Sequence, residues 1–271
     1  MPELPEVETA MRGLEARLVG RTIVGVAQHR ADLRFPLPTA LPERLFGCRI
    51  LRFDRRAKYI LALLDNGHRL ILHLGMSGRL LFDGQGAGRH EHVTFQFDDG
   101  TVLRYVDPRR FGMLDLVAED KLASHPRLAD LGLEPLDPTF DATALKKVLH
   151  GRASPIKVAI MNQKLIVGVG NIYACESLFK ARLSPLRPAD SLKGSDFRRL
   201  AQAITTVLRA AIDAGGSSLR DYVQTDGELG YFQHQFEVYG RADEPCPSCQ
   251  QPIRTMVQAN RSTFYCPACQ R

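Results

Sequence analysis

The sequence predicts an α+β protein of two domains, and three observations support this prediction. Apolar residues within 2–19 recur at spacings of three and four, as on one face of a helix. Short alternating runs separated by Asn-Gly or Asp-Gly turns fill residues 21–118, which predicts antiparallel strands. The helical period returns after Asp141. We therefore expect an N-terminal helix and an antiparallel sandwich or barrel, followed by a helical domain.

Composition is consistent with this organisation and excludes few functions. The chain has 271 residues, which is enough for two domains, and it is 44% hydrophobic and 24% charged. It contains no apolar run of membrane-spanning length, and its first residues lack the pattern of a signal peptide. These features predict a cytosolic protein. The formal net charge of +6 is weak evidence for a polyanionic partner.

The N-terminal helix is predicted from the opening stretch MPELPEVETA and the residues after it. Its apolar face is formed by Val7, Met11, Leu14 and Leu18. Gly20 stands where a helix-terminating glycine is expected. Proline and acidic residues are favoured in a first turn, which accounts for Pro5, Glu6 and Glu8. The same argument does not account for Pro2 and Glu3.

The β region is predicted from alternation and turns. Val93, Phe95 and Phe97 alternate with polar residues. Asp65-Asn66-Gly67 and Asp98-Asp99-Gly100 each separate two such runs, as hairpin turns do. Prolines then punctuate the chain after about residue 120. The predicted domains are accordingly a helix and sandwich domain, a linker, a helical domain and a C-terminal tail, at 1–125, 126–140, 141–240 and 241–271.

Three further elements are predicted in the second half. One helical face contains Ala142, Leu145, Val148 and Leu149. Ser154 is expected to cap the next helix, with Pro155 at its first position. A long helix is expected over 195–214, ended by Gly215-Gly216, and residues 217–240 are expected to form a loop that leads into a strand.

Four cysteines near the C-terminus have the spacing C-x2-C-x16-C-x2-C, at Cys246, Cys249, Cys266 and Cys269. Paired cysteines at this spacing predict one zinc ion bound by four thiolates. Such a site has no open coordination position, so the zinc is expected to be structural. Two disulfides are the alternative, which a reducing compartment disfavours. Residues 258–263 are expected to form a hairpin tip that carries Arg261, although such motifs bind either nucleic acids or proteins.

The stretch LIVGVGNIYACE places two glycines before a helical pattern that opens at Asn171. Helix N-termini present unpaired N–H groups and attract phosphate. Asn171 is therefore either a helix N-cap, the simpler interpretation, or part of a phosphate clamp with Lys157 nearby. The dinucleotide-binding fingerprint is excluded because its glycine register is missing and the preceding segment is predicted to be helical.

Five motifs in one order give a more specific signal. They are PELPEVE, HLGMSG, DPRRFG, VGVGNIYA and the four-cysteine tail. Together they resemble the formamidopyrimidine-DNA glycosylases, bacterial enzymes of base-excision repair, over essentially the whole chain. The resemblance implies an N-terminal helix with a β-sandwich, a helical domain with a helix–two-turn–helix element, and a zinc finger hairpin. It also implies that DNA lies in a cleft between the domains.

The resemblance implies a bifunctional DNA glycosylase/AP lyase that removes oxidised purines such as 8-oxoguanine and formamidopyrimidines. Loss of Met1 would free the secondary amine of Pro2, which would attack C1′ and form an iminium ion. This ion would allow β,δ-elimination of the two flanking phosphates. Glu3 is implied as a general acid–base and Glu6 as a supporting residue.

The resemblance also implies roles for further residues. The implied catalytic residues are Pro2, Glu3 and Lys58, and the implied proton donors are Glu3, Lys58 and Arg261. The implied DNA contacts are His73, His92, Arg109, Lys157, Asn171 and Arg261. The implied residues that fill the void left by the flipped base are Met76, Arg109 and Phe111. Without the motifs, Lys58 would be interpreted as a solvated strand lysine and Met76 and Phe111 as core residues.

Three rival functions remain open from the sequence. The endonuclease VIII group prefers oxidised pyrimidines, but PELPEVE together with the intact void-filling set favours purines. A non-catalytic DNA-binding protein is disfavoured because Pro2 and Glu3 are both present, and a metal-dependent nuclease is the third rival. The expected partner is double-stranded DNA containing oxidised bases, bound by a cytoplasmic monomer on nucleoid DNA, with no membrane association. The loop at 217–232 is expected to cover the flipped base.

Overall fold

The structure, a computed structural model, describes residues 2–83, 88–218 and 224–271. The chain divides into two units by its internal contacts. One contains Met1–Ala129 and Ala214–Tyr231, and the other contains Asp130–Asp213 and Phe232–Arg271. Segment 214–231 therefore belongs with the N-terminal unit, whereas the sequence interpretation assigned it to the helical domain.

The first unit is built from two antiparallel four-stranded sheets and a helix. Its helices and strands are α1 (Leu4–Leu18), β1 (Ile23–Gln28), α2 (Leu41–Leu45), β2 (Ile50–Arg56), β3 (Tyr59–Leu64), β4 (His68–His73), β5 (Arg79–Phe82), β6 (Glu91–Phe97), β7 (Val102–Val106) and β8 (Met113–Ala118). The sheet orders are β1-β6-β7-β5 and β2-β3-β4-β8. One apolar core contains buried residues of both sheets and of α1, so the predicted helix and sandwich are confirmed.

The predicted turns join the predicted strands. The Asp65-Asn66-Gly67 turn connects β3 to β4, and the turn that ends at Gly100 connects β6 to β7. Gly67 and Gly100 have φ values of 78° and 85°, which side chains disfavour. Val93, Phe95 and Phe97 are all buried, as their alternation predicts.

The first helix is shorter than predicted at its N-terminal end. It begins at Leu4, so Pro5 lies in its first turn and Pro2 lies before it. Glu3 occupies the N-cap position and forms a capping box with Glu6. Pro2 is therefore not a helix-starting proline, in agreement with the sequence analysis, whereas Glu3 has a structural role as the N-cap of α1 that the sequence interpretation did not assign to it.

The second unit is helical and ends in a two-stranded hairpin. Its helices and strands are α3 (Ala142–Leu149), α4 (Ile156–Ile160), α5 (Asn171–Lys180), α6 (Gly194–Asp213), β9 (Arg254–Gln258) and β10 (Arg261–Tyr265). The Asp141 carboxylate accepts a hydrogen bond from the Ala144 N–H at 2.7 Å and caps α3. Gly215 and Gly216, with φ values of 74° and 82°, follow the end of α6 as predicted.

Two local predictions for this region are wrong. Pro155 is the N-cap of α4, and the helix begins at Ile156, so Ser154 does not cap it. Residues 217–240 do not lead directly into a strand. A 3₁₀ turn at Phe232–Gln235 follows the loop, and the next strand of the described chain is β9.

The terminal hairpin packs on α5 through a small apolar cluster. The cluster contains Cys175, Phe179, Val238, Cys246, Ile253 and Cys266. The buried Glu176 carboxylate accepts hydrogen bonds from the N–H groups of Glu237, Val238 and Tyr239 at 2.9, 3.0 and 2.8 Å. These bonds fix the segment that enters the hairpin.

No helix in the described ranges is long and apolar enough to cross a bilayer.

Candidate active site and nucleic-acid interface

The N-terminal backbone is held by the Glu6 carboxylate. Its Oε2 accepts a hydrogen bond from the Glu3 N–H at 2.7 Å, and its Oε1 accepts one from the Ser217 N–H at 2.8 Å. Pro2, Glu3 and Glu6 are all buried. Glu6 therefore joins the start of the chain to the base of the 217–232 loop within the first unit. Met1 lies outside the described residues.

Lys58 lies in the turn between β2 and β3, not within a strand as the sequence suggested. An ion pair fixes this turn to α1, because the Arg55 Nε donates to the Glu8 carboxylate at 2.7 Å. The same guanidinium donates to the carbonyl of Ala57 at 3.0 Å. Lys58 itself is only 6% exposed, so the interpretation as a solvated lysine is wrong.

His73 lies at the end of β4 and is half-buried. Its Nδ1 accepts a hydrogen bond from the Gly75 N–H at 3.0 Å, which leaves the ring proton on Nε2. Burial, together with the positive charges of Lys58 and Arg34, lowers the pKa of His73 to about 4. The side chain is therefore neutral near pH 7, and it can offer phosphate an N–H donor but no charge.

Two turns of the first unit carry the three void-filling candidates. We call residues 74–78 and 107–112 the void-filling turns. They touch at Gly75, where an added Cβ would lie 2.4 Å from the Phe111 carbonyl carbon. The Arg109 guanidinium lies 4.8 Å from the centre of the Phe111 ring, which is 42% exposed. The fold thus brings Met76 close to the turn of Arg109 and Phe111, and the core interpretation of Phe111 is wrong.

A buried carboxylate, Asp107, ties the two turns together. Its Oδ1 accepts a hydrogen bond from the Ser77 hydroxyl at 2.6 Å, and its Oδ2 accepts one from the Gly112 N–H at 2.8 Å. The Arg109 N–H donates to the Ser77 hydroxyl oxygen at 3.1 Å. Asp107 is fully buried. Asp107 was not predicted to be a site residue, although it is the first residue of the DPRRFG motif.

His92 does not lie on an exposed surface. Its side chain is 3% exposed, and its Nε2 lies 2.8 Å from the Asp107 carbonyl oxygen. The described structure therefore gives His92 an internal partner and does not favour the direct DNA contact that the resemblance implied. It packs beside the strand end that begins the second void-filling turn.

In the second unit, Lys157 and Asn171 join two helices to the terminal hairpin. The Lys157 Nζ donates to the Asn171 Oδ1 at 2.7 Å, the Ser262 carbonyl at 3.1 Å and the Thr263 hydroxyl at 2.7 Å. The Asn171 Nδ2 donates to the Ser262 carbonyl at 2.9 Å. Lys157 is 1% exposed, so this arrangement does not favour a direct phosphate contact for it.

The glycine loop before α5 does not place Asn171 at the N-cap, which was the simpler of the two sequence interpretations. Gly170 is the N-cap of α5 and Asn171 is its first helical residue, so Asn171 is not the cap. The Gln163 Oε1 accepts a hydrogen bond from the Gly168 N–H at 2.8 Å, and its Nε2 donates to the Val169 carbonyl at 3.0 Å. The segment before the loop is a turn, because α4 ends at Ile160. Sequence reasoning did not single out Gln163.

Arg261 is the first residue of β10 and is exposed. The hairpin tip is formed by Ala259 and Asn260, whose φ values of 47° and 58° make a tight two-residue turn. Thr263 and the Ser262 carbonyl accept hydrogen bonds from Lys157. The hairpin predicted from the sequence is confirmed.

The four cysteine sulfurs lie within 4.8 Å of one another. The Cys246–Cys269 and Cys249–Cys266 sulfur pairs are 3.9 and 3.5 Å apart, and all four cysteines are free of disulfides. A tetrahedral zinc with Zn–S bonds of about 2.3 Å requires sulfur separations of about 3.8 Å. The donor set therefore fits one zinc ion with no open position.

The base of the 217–232 loop is closed by backbone contacts. Ser217 and Tyr231 form an antiparallel bridge. Thr225 packs on α1, where a Cβ added to Gly13 would lie 2.2 Å from its Oγ1. The Thr225 carbonyl accepts a hydrogen bond from the Phe82 N–H at 3.1 Å. Residues 219–223 of this loop lie outside the described part of the chain.

Family models match most of the sequence. Residues 1–114 match the formamidopyrimidine-DNA glycosylase N-terminal domain, and residues 131–223 match the formamidopyrimidine-DNA glycosylase H2TH domain. Residues 243–271 match the zinc finger found in FPG and IleRS. The chain belongs to the formamidopyrimidine-DNA glycosylase family. The resemblance, the fold class and the single structural zinc predicted from the sequence are confirmed.

Individual members of this family match the present chain over nearly their whole length. Formamidopyrimidine-DNA glycosylases of Cereibacter sphaeroides and Rhodospirillum centenum are 51% and 52% identical, with complete coverage of both chains. The Thermus thermophilus MutM (Fpg) structure matches with a TM-score of 0.89 and 42% identity, covering 99% of this chain and 98% of that chain. A Lactococcus lactis Fpg complex with DNA containing an abasic site matches with a TM-score of 0.91 and 34% identity, covering 99% of each chain.

Proposed function

We propose that this protein is a bifunctional DNA glycosylase/AP lyase whose nucleophile is the N-terminal amine of Pro2. Membership in the family makes it a base-excision-repair glycosylase for oxidised purines, and the alternative specificity for oxidised pyrimidines is not favoured. Double-stranded DNA with oxidised bases is the proposed substrate, and solved relatives hold damaged DNA. We place a monomer in the cytoplasm on nucleoid DNA, without membrane association.

The observation that carries this proposal is the arrangement of the first six residues. Pro2 lies outside the helix, so its nitrogen has no role in the hydrogen bonds of α1. Glu6 holds the neighbouring Glu3 N–H, which fixes the position of the backbone next to Pro2. A nucleophile held in this way loses little conformational freedom when it reaches the reacting carbon.

The proposed reaction begins after removal of Met1. An α-amino group has a pKa of about 8, so part of the amine is neutral near pH 7. The Pro2 nitrogen attacks C1′ and loses its proton, and the damaged base leaves with the electrons of its bond to C1′. The C1′–O4′ bond then breaks, O4′ takes up a proton, and the nitrogen lone pair forms the C1′=N double bond of the iminium ion. The product iminium ion draws electrons from C2′, so loss of the C2′ proton expels the 3′ phosphate. A second elimination expels the 5′ phosphate.

Three side chains are proposed as proton donors in these steps. Glu3 is adjacent to the nucleophile and buried, which suits a general acid–base at the sugar ring. Lys58 is held at the β2–β3 turn, which the Glu8–Arg55 pair ties to α1. Arg261 lies beside the hairpin tip of the second unit.

The remaining assignments concern DNA binding. We propose that His73, Asn171 and Arg261 contact phosphates, and that Met76, Arg109 and Phe111 fill the space left by the flipped nucleotide. Flipping costs a few kcal/mol, and exposed apolar and arginine side chains on turns can occupy the gap. Lys157 is proposed to act through Asn171 and the hairpin, since its own ammonium is enclosed.

Borohydride trapping tests the proposed nucleophile. The processed protein is incubated with a duplex containing 8-oxoguanine opposite cytosine in the presence of borohydride, which reduces the iminium ion to a stable cross-link. The matched control carries an N-terminal tag that retains Met1, and a second preparation carries the same tag at the C-terminus. We expect cross-linking by the processed and C-terminally tagged proteins only, with DNA binding retained by all three. Cross-linking by the N-terminally tagged protein would refute the role of Pro2.

A further inference from the structure

Two arginines of the first unit flank one phenylalanine. The Arg127 guanidinium carbon lies 4.0 Å from the centre of the Phe35 ring, and that of Arg34 lies 5.6 Å from it. Both arginines are exposed, and Phe35 is half-buried. We call these three residues the arginine stack. Among the described residues, no carboxylate forms an ion pair with either guanidinium.

The arginine stack lies beside the site already described. The Arg34 N–H donates to the Gly112 carbonyl at 3.2 Å, directly after Phe111 in a void-filling turn. Burial raises the pKa of Tyr59, and the positive charges of Arg127 and Arg34 oppose this rise. The Tyr59 and His73 rings are 4.7 Å apart. The stack, Tyr59 and His73 are therefore neighbours on one unit.

A purely structural role leaves the charges of the stack unexplained. Two guanidinium groups near one ring repel each other, and each gains only a weak cation–π attraction at an exposed site. A phosphodiester would neutralise this charge, and the planar guanidinium fork matches phosphate oxygens in two parallel hydrogen bonds. The Phe35 ring also restricts both side chains before binding, which lowers the entropy lost when an anion is bound.

We propose that Arg34 and Arg127 bind the phosphodiester backbone of the DNA duplex beside the lesion. This inference rests on the proposed function, because it extends the phosphate contacts assigned to His73. His73 is neutral near pH 7 and supplies only a hydrogen bond, so the stack provides positive charge on this part of the interface. Base identity is not read by these contacts.

Salt dependence of binding tests the proposal. Each phosphate neutralised by a cation contributes about 0.9 to the slope of log K against log salt concentration, so losing both contacts should lower the slope by about 1.8. The test variant is Arg34→Gln with Arg127→Gln, measured with a lesion-containing duplex by fluorescence anisotropy. Arg44→Gln, an exposed arginine on α2, removes a charge from the same unit and should leave the slope unchanged.

A conservative pair of substitutions separates charge from packing. Arg34→Lys with Arg127→Lys keeps both cations, so most of the salt slope should return. A double glutamine variant with the wild-type slope would overturn the proposal. So would a double lysine variant with a slope as low as the double glutamine variant, because that outcome assigns the effect to packing.

Uncharged backbone analogues can show which phosphates the arginine stack contacts. Single methylphosphonates are placed at successive positions on either side of the lesion. At a phosphate bound by the stack, the affinity difference between wild type and the double glutamine variant should shrink. An equal difference at every scanned position would refute direct contact. Borohydride trapping of the wild-type protein on the same duplex tests Pro2 separately, so a failed salt test with successful trapping removes only the present inference.

Discussion

The two units fix the residues proposed to contact DNA with buried charges of opposite sign. In the first unit, the Asp107 and Glu6 carboxylates accept hydrogen bonds, mainly from backbone N–H groups. In the second unit, the Lys157 ammonium donates to a carbonyl and two side-chain oxygens. Each charge holds together segments that are far apart in the sequence.

The difference follows from what each unit must position. The void-filling turns leave backbone N–H groups without strand partners, and a carboxylate can accept several of them at once. The terminal hairpin presents a carbonyl and hydroxyl to the helices, and an ammonium with three donors can satisfy them. The first unit also has a large apolar core, whereas the hairpin has a small cluster and four cysteines.

Zinc removal should produce the largest difference between the units. Binding of structural zinc contributes about 10–16 kcal/mol in isolated zinc fingers, so chelation should unfold the hairpin while the sandwich remains folded. We expect DNA affinity to fall by more than tenfold, measured by anisotropy after dialysis against a chelator, and to return with added zinc. Cys249→Ser should weaken binding in the same direction. Cys48→Ser, a matched thiol replacement in the first unit, should bind DNA normally, and unchanged affinity of Cys249→Ser would count against a DNA-facing finger.

Asp107→Asn should destabilise the first unit. An Asn amide group placed at Oδ2 faces the Gly112 N–H donor, which leaves a buried donor unsatisfied. We expect a loss of about 2 kcal/mol in the free energy of unfolding, measured in urea. Asp98→Asn provides a matched control at an exposed turn position and should change stability by less than about 0.5 kcal/mol. Equal stability of the two variants would show that Asp107 does not fix the turns.

Lys157→Met should destabilise the second unit, because it removes the donor to three oxygen acceptors. The Asn171, Ser262 and Thr263 oxygens lose their shared donor, so we expect a stability loss of roughly 1–3 kcal/mol. DNA affinity should also fall, because Asn171 and the hairpin lose a fixed geometry. Lys164→Met removes an exposed lysine as the control. Lys157→Arg should also lose affinity, since the larger head does not fit the buried site, and wild-type affinity of that variant would instead indicate a direct phosphate contact.

The smallest expected effect concerns His73 and pH. Its pKa of about 4 in the folded protein is below the ordinary 6.5, so the unfolded chain binds the proton first as pH falls. The group contributes nothing to stability above about pH 6.5 and lowers stability progressively toward pH 4. NMR titration should show no change in the His73 ring signals between pH 8 and 6. A titration midpoint near pH 6.5 would contradict this prediction and show that the His73 ring can be positively charged when it contacts DNA.

Local patterns in the sequence predicted the features that depend on neighbouring residues. Residues close together in the sequence are enough to determine three of these features: the apolar face of α1, the turns at Gly67 and Gly100, and the paired spacing of the cysteines. The capping role of Glu3 was missed because the helix was predicted to begin two residues too early. The helix–two-turn–helix element and the zinc finger were predicted from the resemblance to the family, and the domain matches confirm that resemblance.

Long-range partners explain what the sequence could not show. The Asp107 carboxylate accepts a hydrogen bond from Ser77, which lies 30 residues earlier, and no local sequence pattern predicts that contact. His92 and Lys157 were assigned to DNA, but tertiary packing gives both of them internal partners. Segment 214–231 was assigned to the helical domain because it follows α6, whereas its hydrogen bonds to Glu6 and Phe82 place it in the first unit.

The most direct test of the central claim is the location of the borohydride cross-link. Wild-type protein is trapped on 8-oxoguanine duplex, digested with nuclease and trypsin, and the N-terminal peptide 2–12 is sequenced by mass spectrometry. We predict a reduced deoxyribose remnant on the Pro2 nitrogen of a chain that lacks Met1. A remnant on Lys58, or an unmodified peptide that still begins with Met1, would contradict the proposed nucleophile.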